Sequence, residues 1–130
     1  MEEQKQRLMS QVPQTAAGFN RDFKALKKNT AEQMAYLKRI PLATVQGYFV
    51  KTELDTQTFS EVLGCLAAEL TSDDATWAID FLLTLAKSFK FDVTIMFLEE
   101  EEIAFVATIV EKLRAVDSAK ADEIQAAYTD

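Results

Sequence analysis

Phe59, Val62, Leu63, Leu66, Ala67 and Leu70 recur at i, i+3, i+4, i+7, i+8 and i+11. That spacing gathers them on one face of an α-helix and on no single face of a strand. Shorter versions of the same period recur along the chain. Three glycines and two prolines in 130 residues leave long stretches with nothing to interrupt a helix. Residues 103–110 are rich in β-branched side chains, yet a 3.6 period describes them better than a period of two. The expected fold is all-α, a compact right-handed helical bundle or superhelix of seven to eight short helices. A chain of this length forms one domain and buries a core without metal or disulfide support.

Residues 1–17 are polar, with repeated Gln and Pro13 among them, and are expected to form a flexible N-terminal tail ahead of an all-helical domain over residues 18–130. Phe19, Phe23 and Leu26 then give a short helix with an aromatic stripe, with Lys24, Lys27 and Lys28 as its solvated cationic end. Thr30 reads as the cap of the next helix, in a capping box with Gln33, and Pro41 stops that helix. A short helix follows from Leu42, with Val45, Tyr48 and Phe49 clustered. Asp55 or Thr56 caps the helix of the opening stripe. Ser72 or Asp73 caps a helix over residues 75–86 that is apolar almost all round, broken by the strip of Asp80 and Thr84. That helix is expected to be innermost, with Trp77, Phe81 and Leu82 buried. Glu99 to Glu102 open a further helix, where negative charge suits the N-terminus, and Ile103, Val106, Ile109, Val110 and Leu113 are its stripe. Asp117 or Ser118 caps the last helix, packed through Ala121, Ile124 and Tyr128.

Residues 91–98 are unusual. Wound at about 100° per residue, Phe91, Ile95 and Leu98 share one face. Val93, Met96 and Phe97 share another, with Lys90 on its edge and Asp92 as the expected cap. A helix apolar on both sides is either buried between layers or lends one side to a partner.

The remaining composition narrows the function classes. A formal charge of −7 opposes binding to nucleic acid or to an anionic membrane. No apolar run approaches the length of a membrane span, and no basic-then-apolar leader begins the chain. Cys65 is the single cysteine, so an internal disulfide is impossible, as suits a reducing, cytoplasmic setting. With no histidine in the chain, Cys65 lacks a base to activate it. It projects away from the stripe of its helix and either meets a neighbouring helix or is exposed. Four adjacent glutamates point in different directions on a helix and do not converge on one metal ion. Catalysis would rest on carboxylates alone, of which Asp80 and Asp92 lie beside apolar surface, and a polar strip and a helix cap account for both. No catalytic residue, metal or cofactor is expected.

The runs FNRDFKALKKN, MAYLKRIPLATVQGYF, LDTQTFSEVLGCL and FLLTLAKSFKFDVTIMFLEEEE, in that order, resemble the C-terminal domain of RNA polymerase II-associated protein three. The family also includes domains of sperm-associated antigen one and of a coiled-coil dynein-arm assembly factor. The resemblance covers residues 18–116 and is carried by Phe19, Phe23 and Leu26, by the segment of Tyr36, Leu37, Ile40 and Pro41, and by Phe91, Asp92, Met96, Phe97 and Glu101. It implies an all-helical, non-enzymatic adaptor that docks a RuvB-like AAA+ ATPase and through it serves the Hsp90 chaperone in assembling large complexes. The alternative in the same fold is a stand-alone factor for axonemal dynein assembly or attachment with other partners. The isolated domain is expected to be a monomer. Relatives carry tetratricopeptide repeats ahead of the domain; their pattern does not occur in these residues, which implies an excised domain or a short stand-alone member. The family's docking segment, Arg-Phe-Asp-Met-x-x-x-Phe, falls on Lys90, Phe91, Asp92, Val93 and Phe97. It assigns the contact to Lys90, Val93 and Phe97, joined by Met96 of the same face. Lysine stands here for arginine and valine for methionine, exchanging a bidentate fork for a point charge and a flexible thioether for a short, stiff side chain.

Overall fold

The computed structural model describes residues 12–129. Among these residues there are eight α-helices, one 3₁₀ turn and no strand: α1 Ala16–Ala25, α2 Thr30–Arg39, α3 Leu42–Tyr48, α4 Thr56–Glu69, the 3₁₀ turn Ser72–Asp74, α5 Ala75–Leu85, α6 Phe91–Met96, α7 Glu100–Arg114 and α8 Ser118–Ala127. The chain is all-α, as the periodicity requires.

Local chemistry sets the helix ends. Asp55 accepts from Thr58 N at 3.0 Å and Asp117 from Lys120 N at 3.1 Å, so of the two candidates read for each cap it is the aspartate that serves, not Thr56 or Ser118. Ile40, ahead of Pro41, has ψ 123, the extended state that proline imposes on its predecessor. The cap of α2 is Asn29, one residue earlier than expected, and its side chain accepts from Glu32 N at 3.1 Å. Thr30 is thereby free to donate its hydroxyl to Glu69 Oε2 at 2.9 Å, and Gln33 Nε2 donates to the Phe23 carbonyl.

The expected tail falls largely outside the described residues. Its last residues are ordered into the fold. Thr15 caps α1 by accepting from Gly18 N at 3.0 Å, Ala16 is buried, and the Tyr48 hydroxyl donates to the Pro13 carbonyl.

Helices α4 and α5 form the centre. Helix α4 packs on α1, α2 and α7, and α5 on α3, α7 and α8. Phe59, Leu63 and Leu66 of α4 and Phe81 and Leu82 of α5 are buried. Phe19 stacks on Phe23, Tyr36 and Tyr48 at one end, while Phe59, Phe91 and Tyr128 form a second aromatic group. The Tyr128 hydroxyl donates to the Leu82 carbonyl at 2.6 Å, tying the C-terminal helix to α5. Burial holds that phenol well above its ordinary pKa.

Two expected core positions differ. Trp77 is only partly buried, stacked on Phe81 at 4.9 Å, because it falls at i, i+3 and i+7 with Asp80 and Thr84 and so borders the polar strip of α5, while Ala75 and Ala78 beside it are buried. Ile103 is 56 % exposed. Phe105 takes the inward position, its ring so close to Gly64 that a Cβ there would lie 3.2 Å from Cε2. A glycine in α4 thus lets α7 approach.

Candidate functional site

The link between α5 and α6 is held from both sides. Ser88 is buried and donates to the Leu85 carbonyl at 2.5 Å, and Phe89 N donates to the Phe49 carbonyl at 2.8 Å. The chain then reverses at Lys90, the only non-glycine with positive φ among the described residues (φ 56, ψ 36). This left-handed state costs a lysine about 1–2 kcal/mol, and such strain persists only where the surroundings impose it. Lys90 N-caps α6 through its backbone, so Asp92 is not the cap; it lies exposed in the first turn. Asp80 is also exposed.

The reversal decides which face of α6 turns inward. Phe91 is buried edge-on to Phe59 and Tyr128, with centroids at 6.0 and 5.1 Å. Ile95 and Leu98 pack partly on the core, and the Thr94 hydroxyl donates back to the Lys90 carbonyl at 3.2 Å. The other face is left to solvent: Val93 is 39 %, Met96 62 % and Phe97 67 % exposed. Helix α6 ends at Met96, and Phe97 is its C-cap. A capping box between Glu99 and Glu102 then opens α7, with Glu99 N donating to Glu102 Oε1 at 3.0 Å. Three large apolar side chains exposed on a helix of six residues and its C-cap are more than scattered surface hydrophobics.

The structure adds neighbours that the sequence did not single out. Phe89 is 41 % exposed, and Lys90 Nζ lies 5.3 Å from its ring centroid, within cation–π reach. Lys90 also pairs with Glu53 at 3.6 Å across the surface. Ile103 lies with Met96 along a groove of about 740 Å³ between α6, α7 and α8. A second open groove of about 750 Å³ runs between α6 and α4, with Val93 and Phe97 on one wall. Phe89 was legible as an aromatic beside Lys90; Glu53 comes from a distant loop and carried no signal.

Cys65 is buried, its Sγ 3.4 Å from the Thr30 carbonyl. Burial, reinforced by nearby Glu69, raises its pKa to about 12, which keeps it a thiol. Among the described residues no group of His, Cys, Asp or Glu is placed to hold a metal ion, and no helix is long and apolar enough to cross a membrane.

This geometry stands beside known proteins as follows. The structure is similar to the NMR structure of the C-terminal domain of the human RPAP3 protein, with a TM-score of 0.81 over 94 % of this chain and 92 % of that one. Identity between the two is 20 %, so this likeness speaks for the fold. No curated protein matches the chain. The profile of one protein family, described as the potential Monad-binding region of RPAP3, matches residues 12–103, which include α1 to α6 and the exposed face. Since that match spans most of the sequence, the chain belongs to the RPAP3 C-terminal family.

Proposed function

We propose that this domain is a non-enzymatic protein–protein adaptor, and that it docks a RuvB-like AAA+ ATPase, in an assembly linked to Hsp90, through Lys90, Val93, Met96 and Phe97. The observation that carries the reading is the division of α6: Phe91 is anchored in the core while Phe97 stands 67 % exposed. An exposed aromatic with a flanking cation has the composition of an interface hot spot. The Lys90 reversal supports this reading, because it holds the cation and the apolar face in a fixed relation before any partner arrives, which lowers the entropy lost on binding. Cys65 is a buried thiol, and Asp80 and Asp92 stand in solvent, which supports a role in binding over catalysis.

A second reading is favoured by the family's own description, which names Monad as the potential partner of RPAP3. The two are separated by one experiment: pull-down of purified RuvB-like hexamers and, separately, of purified Monad, by the wild-type chain and by Phe97→Ala. The proposal expects retention of the ATPase by wild type and its loss in the variant. Retention of Monad alone supports the second reading. ATPase retention indifferent to Phe97→Ala places the docking surface elsewhere.

A further inference from the structure

We infer that the groove beside Phe97 receives a partner segment in which an Arg or Lys side chain lies next to an apolar one. This rests on the reading of the Phe97 face as the docking surface and adds the chemistry of what enters beside it. The groove has apolar walls from Val93, Phe97 and Leu98, and its rim carries Glu53, Glu61, Glu99 and Glu102. These carboxylates come from three places in the chain: the loop before α4, α4 itself and the start of α7. Two of them are held by hydrogen bonds. Glu102 accepts from Glu99 N at 3.0 Å and from Ser60 Oγ at 3.3 Å, and Glu99 accepts in return from the Glu102 backbone. Carboxylates already fixed lose little freedom when a partner arrives.

The positive charge facing them is small. Glu53 has Lys90 at 3.6 Å, with both side chains about half exposed. Among the described residues no Lys or Arg forms an ion pair with Glu61, Glu99 or Glu102. Glu61 Oε2 is buried and has no hydrogen-bond partner. A carboxylate oxygen in that state is costly, and a cation seated on the rim nearby lowers the cost of that charge through space. A purely apolar segment closing over the groove would strip water from these charges without replacing it, and an anionic one would be repelled. A cation beside an apolar residue meets both walls and rim.

The test measures the affinity of the full chain for purified RuvB-like hexamers at low and high salt. Glu53→Gln/Glu61→Gln should lose about tenfold in affinity at low salt and flatten the salt dependence, with its helical circular dichroism retained. The control Asp73→Asn/Asp80→Asn removes the same charge from exposed positions outside both grooves and should stay close to wild type. If Phe97→Ala weakens binding while the groove and control variants behave alike, the inference is overturned and the adaptor reading stands. If wild type does not bind the hexamers, the adaptor reading fails by itself, and NMR titration with a short peptide alternating Leu and Arg decides the groove. Amide shifts confined to Glu61, Val93, Phe97 and their neighbours, and absent with a Glu-for-Arg peptide, support it. Shifts dispersed over the acidic surface overturn it.

Discussion

Phe91 and Phe97 lie six residues apart on one short segment, yet alanine should act on them in opposite ways. Phe91 is 6 % exposed and its ring meets Phe59 and Tyr128 edge-on. Removing a buried Phe costs about 3–5 kcal/mol through lost transfer energy and the cavity left behind, and two aromatic pairs are lost with it. Against a total stability of about 5–15 kcal/mol for a domain, Phe91→Ala brings the fold close to unfolding. Phe97 is 67 % exposed. With full burial of a Phe worth about 1.5–3 kcal/mol, the buried third of its surface contributes about 0.5–1 kcal/mol, so Phe97→Ala should lower the melting temperature by only a few degrees. Its binding cost as a hot spot is about 2 kcal/mol or more, roughly a thirtyfold loss of affinity. Urea denaturation followed by far-UV circular dichroism, with calorimetric titration against RuvB-like hexamers, measures both quantities. If Phe97→Ala destabilises the fold as much as Phe91→Ala, both faces of the segment are structural and the reasoning fails. If it is stable and binds as wild type, the face is not the docking surface.

Other consequences follow from the packing. Leu82 is 1 % exposed in α5, and Leu82→Ala should cost about 2–5 kcal/mol in denaturant unfolding; a neutral result would remove α5 from the core. Lys38 donates to Asp74 at 2.8 Å, and this hydrogen bond is the main cause holding the Asp74 carboxyl below its ordinary value of 3.8. A lowered folded pKa gives stability that is present above the ordinary value and is lost as pH falls through the lowered one. Lys38→Met should therefore cost up to about 1 kcal/mol at neutral pH and nothing at the acid end; a cost independent of pH would show that packing, not charge, is at stake. Deleting residues 1–17 removes the Thr15 cap, buried Ala16 and the Pro13 carbonyl that accepts from Tyr48. Stability should drop by about 1–3 kcal/mol, and an unchanged melting temperature would show these contacts to be dispensable.

Much of the fold was legible because helices are local. The stripe from Phe59 to Leu70 needs only the 3.6 period. Asp55 and Asp117 cap their helices through bonds to amides three residues on, and Pro41 ends α2 through its own ring. The glutamates from Glu99 to Glu102 open α7, as a helix N-terminus favours. The two apolar faces of residues 91–98 were equally visible.

Tertiary structure decided what covers each face. A one-dimensional pattern shows that Val93, Met96 and Phe97 are apolar, but only the left-handed turn at Lys90 and the contact of Phe91 with Phe59 and Tyr128 turn them to solvent. Trp77 looked central because its helix is apolar almost all round, yet the bundle covers the face of Ala75, Ala78 and Leu82 and leaves Trp77 beside exposed Asp80. Ile103 and Phe105 exchanged roles because Gly64, on another helix, leaves room for a ring. Cys65 stays a thiol because the packing of α2 on α4 buries it, with Glu69 nearby. The acidic groove brings Glu53, Glu61 and Glu102 together from separate elements, and their proximity is a property of how helices pack, which no local period encodes.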